Sequence, residues 1–500
     1  MLAENDDEDV YLRHAGALAL ARIGETGPVV ALANHPSRAV RLAAVIALRR
    51  MHDAGVARFL SDRDELVVTE AARAINDDGG IDGALRALAA VLDSAHSAEP
   101  LVRRALSANL RVGTEEAARR VATFAARASE NDAMRVEAIS VLGVWPKPSI
   151  LDRVDGTHLG PVHRDSAIAR AALLGLVEPL FATGSTGVQV ALADAIGRLR
   201  LQGATSLVFA KARSAQAPAV RIAALRALAT MRDGRTEEAL RAALQDQDET
   251  VRMAALSAIP PLNLPEATST ELLASVVGGK GSVGEQQRAL ASLGQIQTTT
   301  GREMLTRLVD QLAQGKIAPD IQLDVAEAAR ATKHAPLIAR LDSFERSRAR
   351  AAPRVAYADV LHGGDARRGR RVVMEGSSAQ CTKCHNFGTG PGASVGPPLR
   401  EVAGRLTREQ LLEALVDPSA RIAPGFGAVQ VTLKNGQGVF GTLREETNGY
   451  IVVDAGTAPR RIMKSDIARR TNGPSAMPPM GSVLTRREIR DVIEYLSTLK

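Results

Sequence analysis

Five hundred residues, 45% hydrophobic and 24% charged, suffice for about three domains, exclude a disordered chain, and contain no run near the roughly 18 apolar residues of a membrane helix. One Trp, four Tyr and eight Phe leave the core to Ala, Leu, Val and Ile, which suits thin layers of small-residue helices better than one large globular core. The net charge of +7 comes from 63 basic residues, nine of them Lys, interspersed with 56 acidic ones, a pattern of solvated helix faces and not of a nucleic-acid surface. The start, Met1-Leu-Ala-Glu-Asn-Asp-Asp-Glu-Asp9, is acidic where an export signal would be basic and then apolar.

A phrase of the form V-R-x-A-A-x-x-A-L recurs along the first 350 residues. It stands at Val40-Arg41, Val220-Arg221 and Val251-Arg252, with weaker copies near Leu12, Val67, Val102, Met134, Val188, Gln287 and Ile321. Neighbouring copies mostly lie 27 to 36 residues apart, room for two short helices and two turns. Within a copy the apolar residues fall at i, i+3, i+4, i+7 and i+8, one helical stripe that a single unit cannot bury and that stacking can. The expectation is an α-solenoid over residues 1–345. The pattern resembles short bacterial HEAT repeats, in which the motif Arg bonds to neighbouring turns, so Arg41, Arg221 and Arg252 are expected to be structural. The wide gap between the copies at 134 and 188, with Trp145-Pro-Lys-Pro148 and Gly156, predicts an irregular pair with a long loop. His14, His35, His52, His96, His158, His163 and His334 lack metal-ligand spacing. No metal site is expected at His158 and His163.

Residues 346–362 read as a linker. From Gly363 the text changes, with Asp365 predicted to cap a helix that runs to Gly376 and has Gly369 on one face. The whole cysteine inventory then falls in one pentapeptide, Cys381-Thr-Lys-Cys384-His385. Two thiols three apart on one turn can reach both vinyl groups of a porphyrin, with the next imidazole under the iron. A thioredoxin-like site would want a βαβ context, and a zinc site a second ligand pair. Gly396-Pro397-Pro398-Leu399 and Arg405 follow. Thr407 to Gln410 and Thr485 to Glu488 are capping boxes that open apolar helices. Between them, alternation in Val429–Leu433, Val439–Leu443, Tyr450–Val453 and Arg460–Met463 predicts a small antiparallel insert over about 426–470, with a type I′ turn at Asn435-Gly436. Met477-Pro-Pro-Met480 precedes the last helix.

These residues resemble a class I cytochrome c over 363–500. The resemblance implies one covalent haem c held by Cys381 and Cys384, with His385 and Met477 as axial ligands and Met480 as the second choice. It further implies a bond from His385 to the Pro397 carbonyl, Leu399 against the ring, Arg405 on a propionate, and a crossing of Gly369 with Tyr495. Val373 departs from the family, where an aromatic is usual. With Asp417-Pro418-Ser and Ile422–Phe426, the insert resembles the haem-binding carboxy-terminal domain of large dehydrogenase-like proteins of planctomycetes and verrucomicrobia. That likeness implies electron transfer serving a fused or associated sugar or alcohol dehydrogenase, a redox partner protein, a further protein partner on the solenoid, and no catalysis by these residues themselves. Haem c attachment implies a periplasmic or extracytoplasmic site, so the chain is expected to be a fragment whose missing amino-terminal part carries the signal. The competing expectation is an interaction scaffold in which the haem is structural or sensory. The fold class expected is mainly α: a HEAT-type solenoid followed by a helical cytochrome c domain with a small antiparallel β insertion.

Overall fold

The computed structural model describes the chain apart from residues 79, 95–97, 263, 280, 351–352, 389–395, 424 and 457, so His96 lies outside the described residues. The chain forms two compact units, Met1–Ala258 and Ile259–Lys500.

The first unit is built from stacked helices, among them α1 (Arg38–Met51), α2 (Glu65–Asn76), α3 (Glu99–Val112), α4 (Asp132–Val144), α5 (Thr186–Leu199) and α6 (Pro218–Met231). The repeat stripe decides which face turns inward. Val40, Ala43, Ala44, Ala47 and Leu48 of α1, and Val220, Ala223, Ala224, Ala227 and Leu228 of α6, are all buried. Alanine on this stripe lets neighbouring helices approach closely, which accounts for a core with so few aromatics.

The motif arginines are structural, as expected. Arg41 donates Nη1 to the carbonyls of His35 and Pro36 at 2.9 and 3.0 Å, and Nε to Asp62 at 2.7 Å. Arg221 repeats the arrangement with Ala215, Gln216 and Asp246. Arg252 donates to the carbonyls of Asp246 and Gln247. Each planar fork thus ties the turn before its own helix, and in two copies the carboxylate of the next turn as well. Burial pushes the Asp246 carboxyl up, but the Arg221 bonds prevail and hold it below the usual carboxylate range.

The long loop after α4 folds back over its neighbours. A bridge joins Leu151 to His158, and Arg164 lies over the buried Trp145 ring. Asp152, 6% exposed, accepts from Ser107 Oγ at 2.7 Å, from the Val154 N–H at 2.7 Å and from Asn76 Nδ2 at 3.4 Å. Among the described residues no group of His, Cys, Asp and Glu is arranged to hold a metal ion. Asp152→Ala strands Ser107 Oγ, leaves Asn76 Nδ2 with Asp77 Oδ1 as its acceptor, and should destabilise this unit by about 2 kcal/mol. Urea unfolding followed by circular dichroism checks it, and a loss under about 0.5 kcal/mol would show that the loop is not held through this carboxylate.

In the second unit, α7 (Val283–Gln295), α8 (Gln322–Ala331) and α9 (Ala335–Ala349) precede α10 (Ala366–Glu375), α11 (Arg408–Val416) and α12 (Arg486–Leu496). The caps expected at Asp365, Thr407 and Thr485 are formed, the last two as complete capping boxes. Helices α10 and α12 cross at Gly369, where a Cβ would stand 1.9 Å from the Asp491 carbonyl oxygen and 2.8 Å from Tyr495 Cβ. Only glycine permits that approach.

One apolar cluster unites Leu323 of α8 with Val360, Val373, Leu411, Leu412, Met480, Ile489 and Ile493. Beside it, Arg490 Nη1 meets Asp324 Oδ2 at 2.6 Å, both side chains 2% exposed. Within 346–362, read as a linker, Arg348 and Asp359 are engaged, with Asp359 buried between Arg486 at 2.6 Å and Arg348 at 3.6 Å.

The insert holds β1 (Gly427–Leu433), β2 (Gly438–Glu446), β3 (Tyr450–Asp454), β4 (Pro459–Met463) and β5 (Ile467–Asn472), all antiparallel in the order β4-β3-β2-β1-β5. Val429, Val431, Val439, Ile451, Val453 and Ile462 form its own core. Two details correct the reading. Strand β5 was missed because Ile467 is its one large apolar residue, too few for alternation to register. The turn at 433–437 is not type I′. Asn435 has ordinary negative φ and Gly436 alone is left-handed at 85°, with Gly436 N–H donating to Leu433 O and Leu433 N–H to Gln437 O, the geometry of a three-residue loop with a glycine bulge.

Candidate haem-binding site

The helix α10 delivers the chain to Gln380, whose left-handed φ of 48° starts a tight turn. The Cys381 carbonyl then accepts from the Cys384 N–H at 3.2 Å and the His385 N–H at 2.9 Å, which places both thiols and the imidazole on one turn. Both cysteines are free; Cys384 is exposed, and Cys381 is half-buried against the apolar cluster. Burial pushes the Cys381 thiol above its usual range.

His385 Nδ1 lies 2.7 Å from the Pro397 carbonyl oxygen. A carbonyl only accepts, so Nδ1 carries a proton, and in the neutral ring that leaves the lone pair on Nε2. The loop that brings Pro397 there is pinned at both ends, by Gly396 N–H to Cys384 O at 2.8 Å and Leu399 N–H to Asn386 O at 2.9 Å. A Cβ at Gly396 would stand 2.7 Å from His385 Cε1, so a glycine is what lets the ring come this close to the backbone.

Leu399, Phe387, Cys381 and Met477 all pack at the margin of the same cluster, and Met480 lies inside it, 4% exposed. The methionine loop is fixed by Ser475 Oγ, which accepts from the Met477 N–H at 3.1 Å, and by Ser419 Oγ, which accepts from the Ser475 N–H at 3.2 Å. Arg405 is exposed, and its Nη2 donates to the carbonyls of Pro398 and Arg400 at 2.6 and 3.1 Å, so here it braces the loop. Gly369 and Tyr495 meet at the helix crossing, and Val373 is buried in the core.

The donor set suits a haem: two free thiols and a histidine on one turn, an imidazole held through Nδ1, and a half-exposed thioether at the margin of the apolar cluster that Cys381 also packs against. Sequence reasoning passed over Tyr357, whose ring stacks 4.4 Å from the Arg486 guanidinium and whose hydroxyl donates to the Gly481 carbonyl of the methionine loop at 3.4 Å. Its partners lie over 120 residues away, and nothing adjacent in sequence points to them.

The profile of HEAT repeats matches residues 173–260 and 205–277. Among solved structures the chain is similar to the full-length AP-3 complex in an intermediate open conformation, itself a homology model, at 14% identity and a TM-score of 0.42 over 75% of this chain and 67% of that one. It is also similar to a crystal structure of an engineered protein, at 17% identity and a TM-score of 0.19 over 58% of this chain and 96% of the other. No curated protein gives a significant sequence match. The chain is thus a mainly helical protein that contains HEAT repeats and has a small antiparallel sheet in its C-terminal part.

Proposed function

We propose that residues 363–500 bind one haem c covalently and pass single electrons, with the HEAT solenoid as scaffold for a protein partner. The observation that supports this most is the His385 Nδ1 contact with the Pro397 carbonyl, because it fixes the imidazole with Nε2 ready for a metal on the same turn as two free thiols. Each thiol would add across one vinyl group, its hydrogen going to the vinyl carbon, so no oxidant is needed. When bound, the haem iron supplies the one-electron couple. The chain's own part is to hold and shield. Cys381 and Cys384 anchor the ring, His385 ligates, and Leu399, Phe387 and Met480 exclude water. Met477 lends the sulfur that favours electron transfer over ligand chemistry. A fused or associated sugar or alcohol dehydrogenase is the electron source in this reading, and the periplasm its place. A second reading keeps the scaffold and makes the haem structural or sensory; the HEAT repeats favour it, since they serve protein contacts without any cofactor.

The pyridine haemochrome of protein matured in a host with cytochrome c assembly machinery tests the proposal, and absence of covalent haem refutes it. The sixth ligand is tested separately. Met477 is half-exposed on its pinned loop, followed by two prolines that stiffen the backbone, whereas Met480 already belongs to the core. Met477→Ala should leave haem attached, lower the potential and remove the weak near-infrared band of sulfur on ferric iron; Met480→Ala should keep the band. The reverse pattern would move the ligand to Met480.

A further inference from the structure

The charge of this chain is unevenly placed. Residues 1–362 hold 43 basic and 43 acidic side chains, and residues 363–500 hold 20 basic against 13 acidic, so the whole net charge of +7 belongs to the C-terminal part. Many of those 20 basic side chains are held in ion pairs: Arg368 with Asp491, Arg408 with Glu494, Arg444 with Asp454, Arg470 and Lys464 with Glu446, and Arg490 with Asp324.

Helix α10 is different. Gly369 and Val373 face inward, and Arg367, Arg370, Arg371 and Met374 stand exposed on the opposite side, within about 100° of arc. None of these three arginines forms an ion pair among the described residues; the carboxylates near them along the chain are the N-cap Asp365, which pairs with Arg368 and feels the charge of Arg371, and Glu375 at the edge of the face. Three guanidinium groups held this close repel one another, so the face is stabilised when carboxylates are brought to it. The helix runs directly into the turn that holds Cys381, Cys384 and His385, where Lys383 adds a further exposed positive charge.

We infer that the outer face of α10, centred on Arg367, Arg370 and Arg371, is the docking surface for an acidic protein partner. The occupant follows from the charge: a cluster of Asp and Glu carboxylates can pair bidentately with rigid guanidinium forks. A membrane surface fits less well, because Met374 is the one large apolar side chain exposed on this helix and stable anchoring takes a second, apolar signal. That the partner exchanges electrons rests on the proposed haem function; the charge recognition does not.

The test uses the full chain with poly-L-glutamate as probe, by fluorescence anisotropy across ionic strength. Arg367→Gln/Arg370→Gln/Arg371→Gln should weaken binding at low salt by roughly ten-fold and flatten its salt dependence. A control with the same charge change on the sheet, Lys434→Gln/Arg460→Gln/Arg469→Gln, should change it by less than about two-fold. Equal losses in both variants, or no binding by the unaltered chain, would overturn the docking face. Stronger binding to vesicles containing anionic lipid than to poly-L-glutamate would overturn the choice of a protein. Circular dichroism of each variant establishes that it is folded. Pyridine haemochrome measured on the same samples reports the haem separately, so failure of the haem reading leaves the docking result standing.

Discussion

His385→Ala is expected to abolish the native low-spin spectrum, and Cys381→Ala or Cys384→Ala to lower the yield of covalent haem while leaving the remaining thioether. The imidazole does two things. Its Nε2 is left without a hydrogen-bond partner among the described residues, and its Nδ1 ties the turn to the Pro397 loop at 2.7 Å. Losing that bond should also cost roughly 1 kcal/mol of stability even without haem, because the Pro397 carbonyl loses its partner. The two readouts separate. Visible spectra and haemochrome yield report ligation, and thermal unfolding of the apo-protein reports the bond. A histidine variant that kept the wild-type spectrum would exclude His385 as ligand and with it the electron-transfer reading. Covalent haem in the double variant Cys381→Ala/Cys384→Ala would exclude thioether attachment through these residues.

Asp324→Ala should destabilise the second unit by about 3–5 kcal/mol, the cost of leaving the buried Arg490 without its partner, and Arg490→Ala by less, because Arg487 Nη2 stays 3.6 Å from Asp324. Both side chains are 2% exposed, so bulk solvent does not reach the pair to take over from a lost partner. Arg490→Met combined with Asp324→Leu should recover most of the loss, since it removes both charges. The pair joins α8 to α12, and Leu323 sits in the same cluster as Ile489 and Ile493. A chain ended near residue 345 would expose Leu323 and Asp324 together, and its last helices should fray. Chemical unfolding of the variants, with helix protection measured by hydrogen exchange, checks both statements. Single alanine variants that lost under about 1 kcal/mol would show that solvent reaches the pair.

What could be read from the sequence is what is encoded within a turn or a helix. The apolar stripe of each V-R-x-A-A copy selects its own buried face, because helical periodicity is local. The caps at Asp365, Thr407 and Thr485 satisfy backbone N–H groups two or three residues on, and the Cys381, Cys384 and His385 spacing is one turn long. The tertiary structure alone decided the rest, where a side chain's partner is remote or its pattern too sparse. Asp152 finds Ser107 and Asn76 across 45 and 76 residues, Arg490 finds Asp324 across 166, and β5 adds to β1 with a single large apolar residue. A buried carboxylate or guanidinium carries no mark in its neighbours of the group that will neutralise it; burial makes that pairing obligatory, and only the packing of whole helices determines which group it is.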